Sequence, residues 1–176
     1  MNKQQLASKI WASANKMRSK IEANDYKDYI LGFIFYKFLS DKEEAYLKSN
    51  DWTEEALKKL TEEDADAIEV CQKNLGYFIS YENLFSTWSG KGKDFGVANV
   101  RDAISAFNRL ISENYKQIFE NIFDTLQTGL SKLGDSAGSQ TKAINDLIQL
   151  IKDIPTNGNQ DYDVLGFIYE YLIGNF

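Results

Sequence analysis

Eight carboxylates crowd one stretch of this sequence: Asp51, Glu54, Glu55, Glu62, Glu63, Asp64, Asp66 and Glu69, opposed there only by Lys58 and Lys59. Oxygen ligands in that number could hold a hard divalent cation. The spacing, however, lacks the glycine and the alternation of a calcium loop. A solvated helical face is the better reading. Cys71 is the only cysteine, so no disulfide can form within the chain, which fits a reducing compartment. In "AIEVCQKNL" it reads as a small buried hydrophobe. There is no histidine, which removes imidazole acid–base catalysis, Ser-His-Asp triads and the usual zinc and iron sites. Gly90, Gly92 and Gly96 in "SGKGKDFG" match neither the dinucleotide fingerprint nor the phosphate-loop spacing. The "DFG" is a chance match, since no other kinase element accompanies it. That segment reads as an exposed loop made basic by Lys91 and Lys93.

One charge asymmetry points to phosphate chemistry. The first 21 residues carry Lys3, Lys9, Lys16, Arg18 and Lys20 and no acid, in a chain of net charge −6. Lys9, Lys16 and Lys20 share a flank of an amphipathic helix over 3–22, away from the stripe Leu6, Ile10, Ala14, Met17 and Ile21. Such a flank can neutralise phosphates without reading sequence. It can equally be a solvated helix face, and the negative net charge opposes DNA binding by the isolated chain.

The elements that would position these residues are helical. At 176 residues, one domain with a real core is expected. A single proline and 11 glycines leave few breakers, and 14% aromatic residues favour thick packing layers. Asp25 is placed to cap a second helix, apolar nearly all round from Tyr29 to Leu39. Such a helix belongs at the centre of a bundle, with Lys37 snorkelling outward. Thr53 can cap a short helix with Leu57 and Leu60 facing inward. Residues 77–81 read as a short strand or an extended link. A helix over 97–114 carries Val100, Ile104, Phe107 and Ile111. Another runs through Ile118, Phe119, Ile122, Phe123 and Leu126, with Gly134 as terminator. "DSAGSQ" reads as a loop. A helix follows through Ile144, Leu147, Ile148 and Ile151, ended by Ile154-Pro155. After the turn "TNGNQD", Asp161 or Asp163 caps the last helix.

That last helix, "DVLGFIYEYLIGNF", is unusually apolar for a chain end. Leu165, Ile168, Leu172 and Phe176 suit a stripe docked on the bundle. Phe167, Tyr169, Tyr171 and Ile173 lie elsewhere around it and are candidates to meet another surface, unless a thick bundle covers the helix completely. There is no internal repeat. The fold class expected is all-α, a bundle of six or more helices with short loops and at most a minor β element near 77–81. The longest apolar run, "YILGFIFYKFL", is about half the ~20 residues a membrane span needs, and no signal peptide is visible. A soluble, cytoplasmic protein with no membrane partner is expected.

Two stretches together resemble a known family. "LASKIWASANKMRSKIEANDYKDYILGFIFYKFLSDK" resembles the start of the modification subunit (HsdM) of type I restriction–modification systems, and "DYDVLGFIYEYLIGNF" the end of that family's helical N-terminal domain. "GYFISYENLFSTW" and "IFENIFDTLQTGLSKLG" fit between them in order and spacing. The resemblance implies that residues 1–176 are this N-terminal domain, with a methyltransferase domain expected after 176. In the family, that second domain binds S-adenosylmethionine and methylates adenine N6 in duplex DNA. Its Gly-rich cofactor loop and Asn-Pro-Pro-aromatic motif are not in this sequence, so the piece alone is expected to be inactive and to bind no cofactor or metal. The implied partners are duplex DNA, the specificity subunit, the restriction subunit and a second modification subunit. Lys9, Lys16, Arg18, Lys20, Lys91 and Lys93 are the candidate phosphate contacts. Phe167, Tyr169, Tyr171 and Ile173 are the candidate interdomain or partner contacts. A stand-alone helical adaptor that binds another protein through its terminal helix is the alternative.

Overall fold

A computed structural model describes residues 1–17, 23–119, 123–160 and 162–175, and only the backbone at residues 16, 17, 23–25, 93 and 118. Among the described residues the regular structure is helical, with no strand. Helix α1 (Lys3–Met17) leads to α2 (Ala23–Ser49), the short α3 (Glu54–Lys58) and α4 (Ala65–Asn74). Then come α5 (Phe85–Lys91), α6 (Val97–Arg109), α7 (Lys116–Phe119), α8 (Asp124–Thr128), α9 (Ala137–Ile151) and α10 (Val164–Asn175).

The long α2 is the axle. Its 27 residues span about 40 Å at 1.5 Å each. Because it is apolar nearly all round, it can be covered from several sides, and α1, α5, α8 and α9 all pack on it. Tyr29, Ile30, Phe33, Ile34 and Tyr36 are buried. Gly32 permits a close approach: a Cβ there would lie 2.9 Å from Leu126 Cγ of α8. The middle of the core is aromatic. Tyr36 stacks on Trp88 with centroids 4.6 Å apart, and Phe107 meets Phe123 edge-on at 5.2 Å. Such pairs contribute roughly 0.5–1.5 kcal/mol each beyond burial. The Tyr36 hydroxyl donates to the Asn83 carbonyl at 2.7 Å.

Residues 77–80 form the extended link, not a strand. Tyr77, Phe78 and Ile79 are buried although no ladder satisfies their backbone. The link is tied down piecemeal instead. Ile79 N–H donates to Glu43 Oε1 at 2.7 Å, and Tyr81 N–H donates to the Leu60 carbonyl at 3.0 Å. At its head, Gly76 takes φ +94°, and a Cβ there would meet the Tyr115 ring at 2.6 Å. Only glycine fits that position.

Several expected boundaries shift. The second helix begins at Ala23, so Asp25 lies in its first turn rather than at its cap. Lys37 does not snorkel: it is 6% exposed, and its ammonium donates to Asp41 Oδ2 at 2.7 Å and to the Ile154 carbonyl at 2.9 Å. The expected loop 89–96 starts inside α5, because Phe85 and Trp88 anchor a helical turn that carries Ser89 to Lys91 with it. Ile111 falls just beyond α6. Among the described residues of 115–134 are two short helices and a 3₁₀ turn over Leu130–Leu133, with Gly129 between α8 and that turn; Ile122 lies outside the described residues. Gly129 N–H closes the last α8 bond on the Thr125 carbonyl at 2.9 Å, and the Gly129 carbonyl is shared between the Tyr29 hydroxyl and Lys132 N–H of the tighter turn, the latter at 3.0 Å. In "DSAGSQ", Ser136 caps α9 and accepts from Ser139 N–H, so the helix starts inside the expected loop. The Thr53 cap is present, accepting from Ala56 N–H at 3.1 Å, and Leu57 and Leu60 are buried.

Candidate interaction surface

The first and last helices lie side by side. α1 packs on α9 and α10 through Leu6, Ile10 and Ala14, all buried. Its expected stripe continues to Met17 and Ile21; the side chain of the first and all of the second lie outside the described residues. The Tyr162 hydroxyl donates to the Met1 carbonyl at 2.9 Å. Lys3 Nζ sits over the rings of Tyr162 and Phe167 at 5.6 and 5.9 Å, within cation–π range.

In α10, Asp163 is the cap, accepting from Gly166 N–H at 3.0 Å; Asp161 lies outside the described residues. Val164, Ile168 and Leu172 form the buried stripe, while Leu165 is only half-buried. Val164 takes the inner position because the cap sets the rotation of the first turn. Phe176 lies outside the described residues. Of the four candidate contact residues, Phe167 and Tyr171 are half-buried, stacked on each other at 6.1 Å, with Tyr162 edge-on to Phe167 at 6.0 Å. Tyr169 and Ile173 are 51% and 56% exposed, and their spacing of four places them on one outward face.

The segment leading into α10 is fixed from within. Asp41 accepts from Lys37 and, at 2.6 Å, from the Thr156 hydroxyl, while Lys37 also holds the Ile154 carbonyl. The α2 side chains thereby set where the chain leaves α9.

Of the six basic candidates, Lys9 and Lys91 have described side chains. Lys9 pairs with Asp153 of the α9–α10 connection at 3.2 Å. Lys91 is half-buried, 3.9 Å from Glu82. For Lys16 and Lys93 only the backbone is described, and Arg18 and Lys20 lie outside the described residues. The acidic stretch is partly neutralised: Glu54 meets Lys48 at 2.7 Å, Glu55 meets Lys58 at 3.7 Å, and Glu62 is gripped by Arg109 at 3.0 Å through both oxygens. Among the described residues, no group of three or more metal-ligating side chains could hold an ion. No helix there is long and apolar enough to cross a membrane.

One buried acid escaped the sequence reading. Glu43 of α2 is fully buried; Ile79 N–H binds one oxygen and the other has no partner. Burial raises it well above the usual carboxylate range, and neighbouring Glu44 adds to this, while the Ile79 N–H and Cys71 pull it partly back. Burial also pushes the Cys71 thiol up to about 12, with Glu43 reinforcing it. Cys71 is thus an inert core thiol rather than a nucleophile. Glu43 was findable: it stands seven residues after Tyr36 and four before Leu47, on the inward stripe.

Comparison with known proteins now decides the family. The profile of the HsdM N-terminal domain matches residues 6–151. The chain belongs to the HsdM N-terminal domain family. It is similar to the methylase subunit of type I restriction enzyme MpnII from Mycoplasma pneumoniae, at 24% identity, covering 96% of this chain and 34% of that protein. It is also similar to the MjaIX methylase subunit from Methanocaldococcus jannaschii, at 23% identity, covering 96% of this chain and 30% of that protein. The crystal structure of a type I restriction–modification system methyltransferase subunit from Streptococcus thermophilus matches with TM-score 0.77 and 29% identity, over 99% of this chain and 39% of that one. The chain therefore spans about a third of the length of the curated relatives it matches. The profile match of this HsdM N-terminal domain stops at the last residue of α9, whereas the structural match takes in α10 as well.

Proposed function

We propose that this chain is the helical N-terminal part of a DNA adenine-N6 methyltransferase subunit of a type I restriction–modification system. It helps hold duplex DNA and seat the specificity subunit while a separate catalytic domain performs the methyl transfer. The observation that carries this reading is the family match over residues 6–151, supported by relatives that are methylase subunits. A second modification subunit and the restriction subunit complete the proposed assembly.

The residues described here do not fit S-adenosylmethionine. A cofactor loop of the kind this chemistry uses follows a strand, whereas Gly90 lies in α5, Gly92 opens a 3₁₀ turn and Gly96 precedes α6. The chain alone is therefore inactive in this reading, and no step of the reaction is assigned to its residues. Its contribution is positional. Lys9, Lys16, Arg18 and Lys20, with Lys91 and Lys93, supply phosphate contacts. Tyr169 and Ile173, flanked by Phe167 and Tyr171, supply the apolar patch toward the catalytic domain or another subunit. Exposure of Tyr169 and Ile173 is also what favours the adaptor reading.

The test uses the intact methylase subunit with its specificity subunit. Reversing Lys9, Lys16, Arg18 and Lys20 to Glu removes four phosphate contacts. It should weaken binding to cognate and non-cognate duplexes alike and flatten the log–log salt dependence by roughly 3.6. An unchanged salt slope would sink the DNA-gripping role. Loss of subunit assembly on Tyr169→Ser with Ile173→Ser, with DNA binding otherwise normal, would favour the adaptor.

A further inference from the structure

A groove of about 580 Å³ opens on a face that the family reading does not use. One wall is the outer face of α6, with Asn99, Asp102, Ser105 and Arg109; the other is Leu60 to Glu62 with the turn Ser80 to Asn83. Asn99 and Arg109 are ten residues apart, so the α6 wall runs about 15 Å. That matches an extended peptide of about five residues at ~3.3 Å each.

The lining carries unspent hydrogen-bonding capacity. Ser80 is 9% exposed and sits at the cap position of the 3₁₀ turn Tyr81–Asn83, yet its hydroxyl makes no cap hydrogen bond. The hydroxyl is free toward the groove, where a ligand group can take the place of water. Asn99 uses only its oxygen, accepting from Gly96 N–H at 2.8 Å. The charges are not balanced. Arg109 is spent on Glu62 and Lys58 on Glu55, while Glu82 has only Lys91 at 3.9 Å. Asp102 has no ion pair among the described residues, so the groove presents net negative charge. Phosphates would be repelled there.

We propose that this groove binds an extended, basic segment of a partner protein, with Asp102 and Glu82 meeting its lysine or arginine side chains and Ser80 and Asn99 its backbone. The assignment goes beyond the methyltransferase reading and stands or falls separately from it.

A random heptapeptide library displayed on phage and selected on the chain tests this, with the selected peptides then titrated by fluorescence. Basic sequences should be enriched. Asp102→Lys should weaken them roughly tenfold or more, the scale of one charge-assisted hydrogen bond. Ser105→Trp, which fills the groove without altering its charge, should do the same. Asp66→Lys on α4, outside the groove, is the control and should leave binding unchanged. All three positions are exposed, and the unfolding midpoint of each variant is measured first to check that it folds. No enrichment, enrichment of acidic or apolar sequences, or equal losses with Asp66→Lys would each overturn the proposal.

Discussion

Asp41 and Glu43 stand two residues apart on α2, yet the first is a quarter exposed and the second fully buried, and the regions they bind treat the carboxylate in opposite ways. On the side facing residues 154–156, Asp41 is held by Lys37 and Thr156, and the Lys37 ammonium is shared with a backbone carbonyl. On the side facing residues 77–80, Glu43 is sealed from water with the Ile79 N–H on one oxygen, the Cys71 thiol beside it and no ion pair among the described residues. The first contact is a charge network in which the Lys37 ammonium is the shared member. The second favours a neutral acid used as a hydrogen-bond acceptor, whose cost appears when it ionises.

Removing the cation should separate the two most sharply. Lys37→Met leaves the Ile154 carbonyl and the part-buried Asp41 without their donor and should cost about 2 kcal/mol in urea unfolding at neutral pH. Glu43→Gln, isosteric and uncharged, should cost about 1 kcal/mol or less. Equal losses would erase the distinction.

The pH dependence comes next. The folded-state pKa of Glu43 is raised, so its contribution is complete below the unfolded value near 4.5 and is lost as pH climbs from there toward the folded value. The stability of the parent chain minus that of Glu43→Gln should therefore be flat in acid. It should then fall by up to about 1.4 kcal/mol per pH unit above that point. Tyr36, Glu44, Cys71 and Tyr77 are the titratable neighbours, and burial raises both tyrosines and the thiol. These neighbours are common to both proteins, so the difference isolates Glu43. A difference that grows with pH would mean that Glu43 is stabilised as the anion.

Thr156→Val should have the smallest effect. It removes one hydrogen bond from the Asp41 network while Lys37 remains, a loss of about 1 kcal/mol in the same unfolding assay. A loss as large as that for Lys37→Met would show that the hydroxyl, not the ammonium, holds the network.

What the sequence disclosed follows the same division. α2 was legible as the bundle axle because apolar residues cover all its faces, and the α9 stripe because its spacing is regular. Lys37 was misread because hydropathy counts its charge but cannot see Asp41 or the Ile154 carbonyl. The tightening after Gly129 was missed because the Tyr29 hydroxyl that shares its carbonyl with Lys132 N–H comes from a hundred residues away in the chain. At the terminal helix, local periodicity identified Ile168 and Leu172 as buried. It could not divide the remaining aromatics, because Lys3 and Tyr162 partly cover Phe167. The α6 groove left no trace in the sequence, since its two walls join polar residues that no single periodic pattern links.

The Ile79 amide has a kinetic consequence. Its hydrogen is shielded by an acid that is itself sealed from water, so deuterium can replace it only when residues 77–80 lift off α2. Each such lifting also hydrates Glu43. The exchange rate of that one amide therefore counts how often the interior of the bundle opens to solvent beside α2.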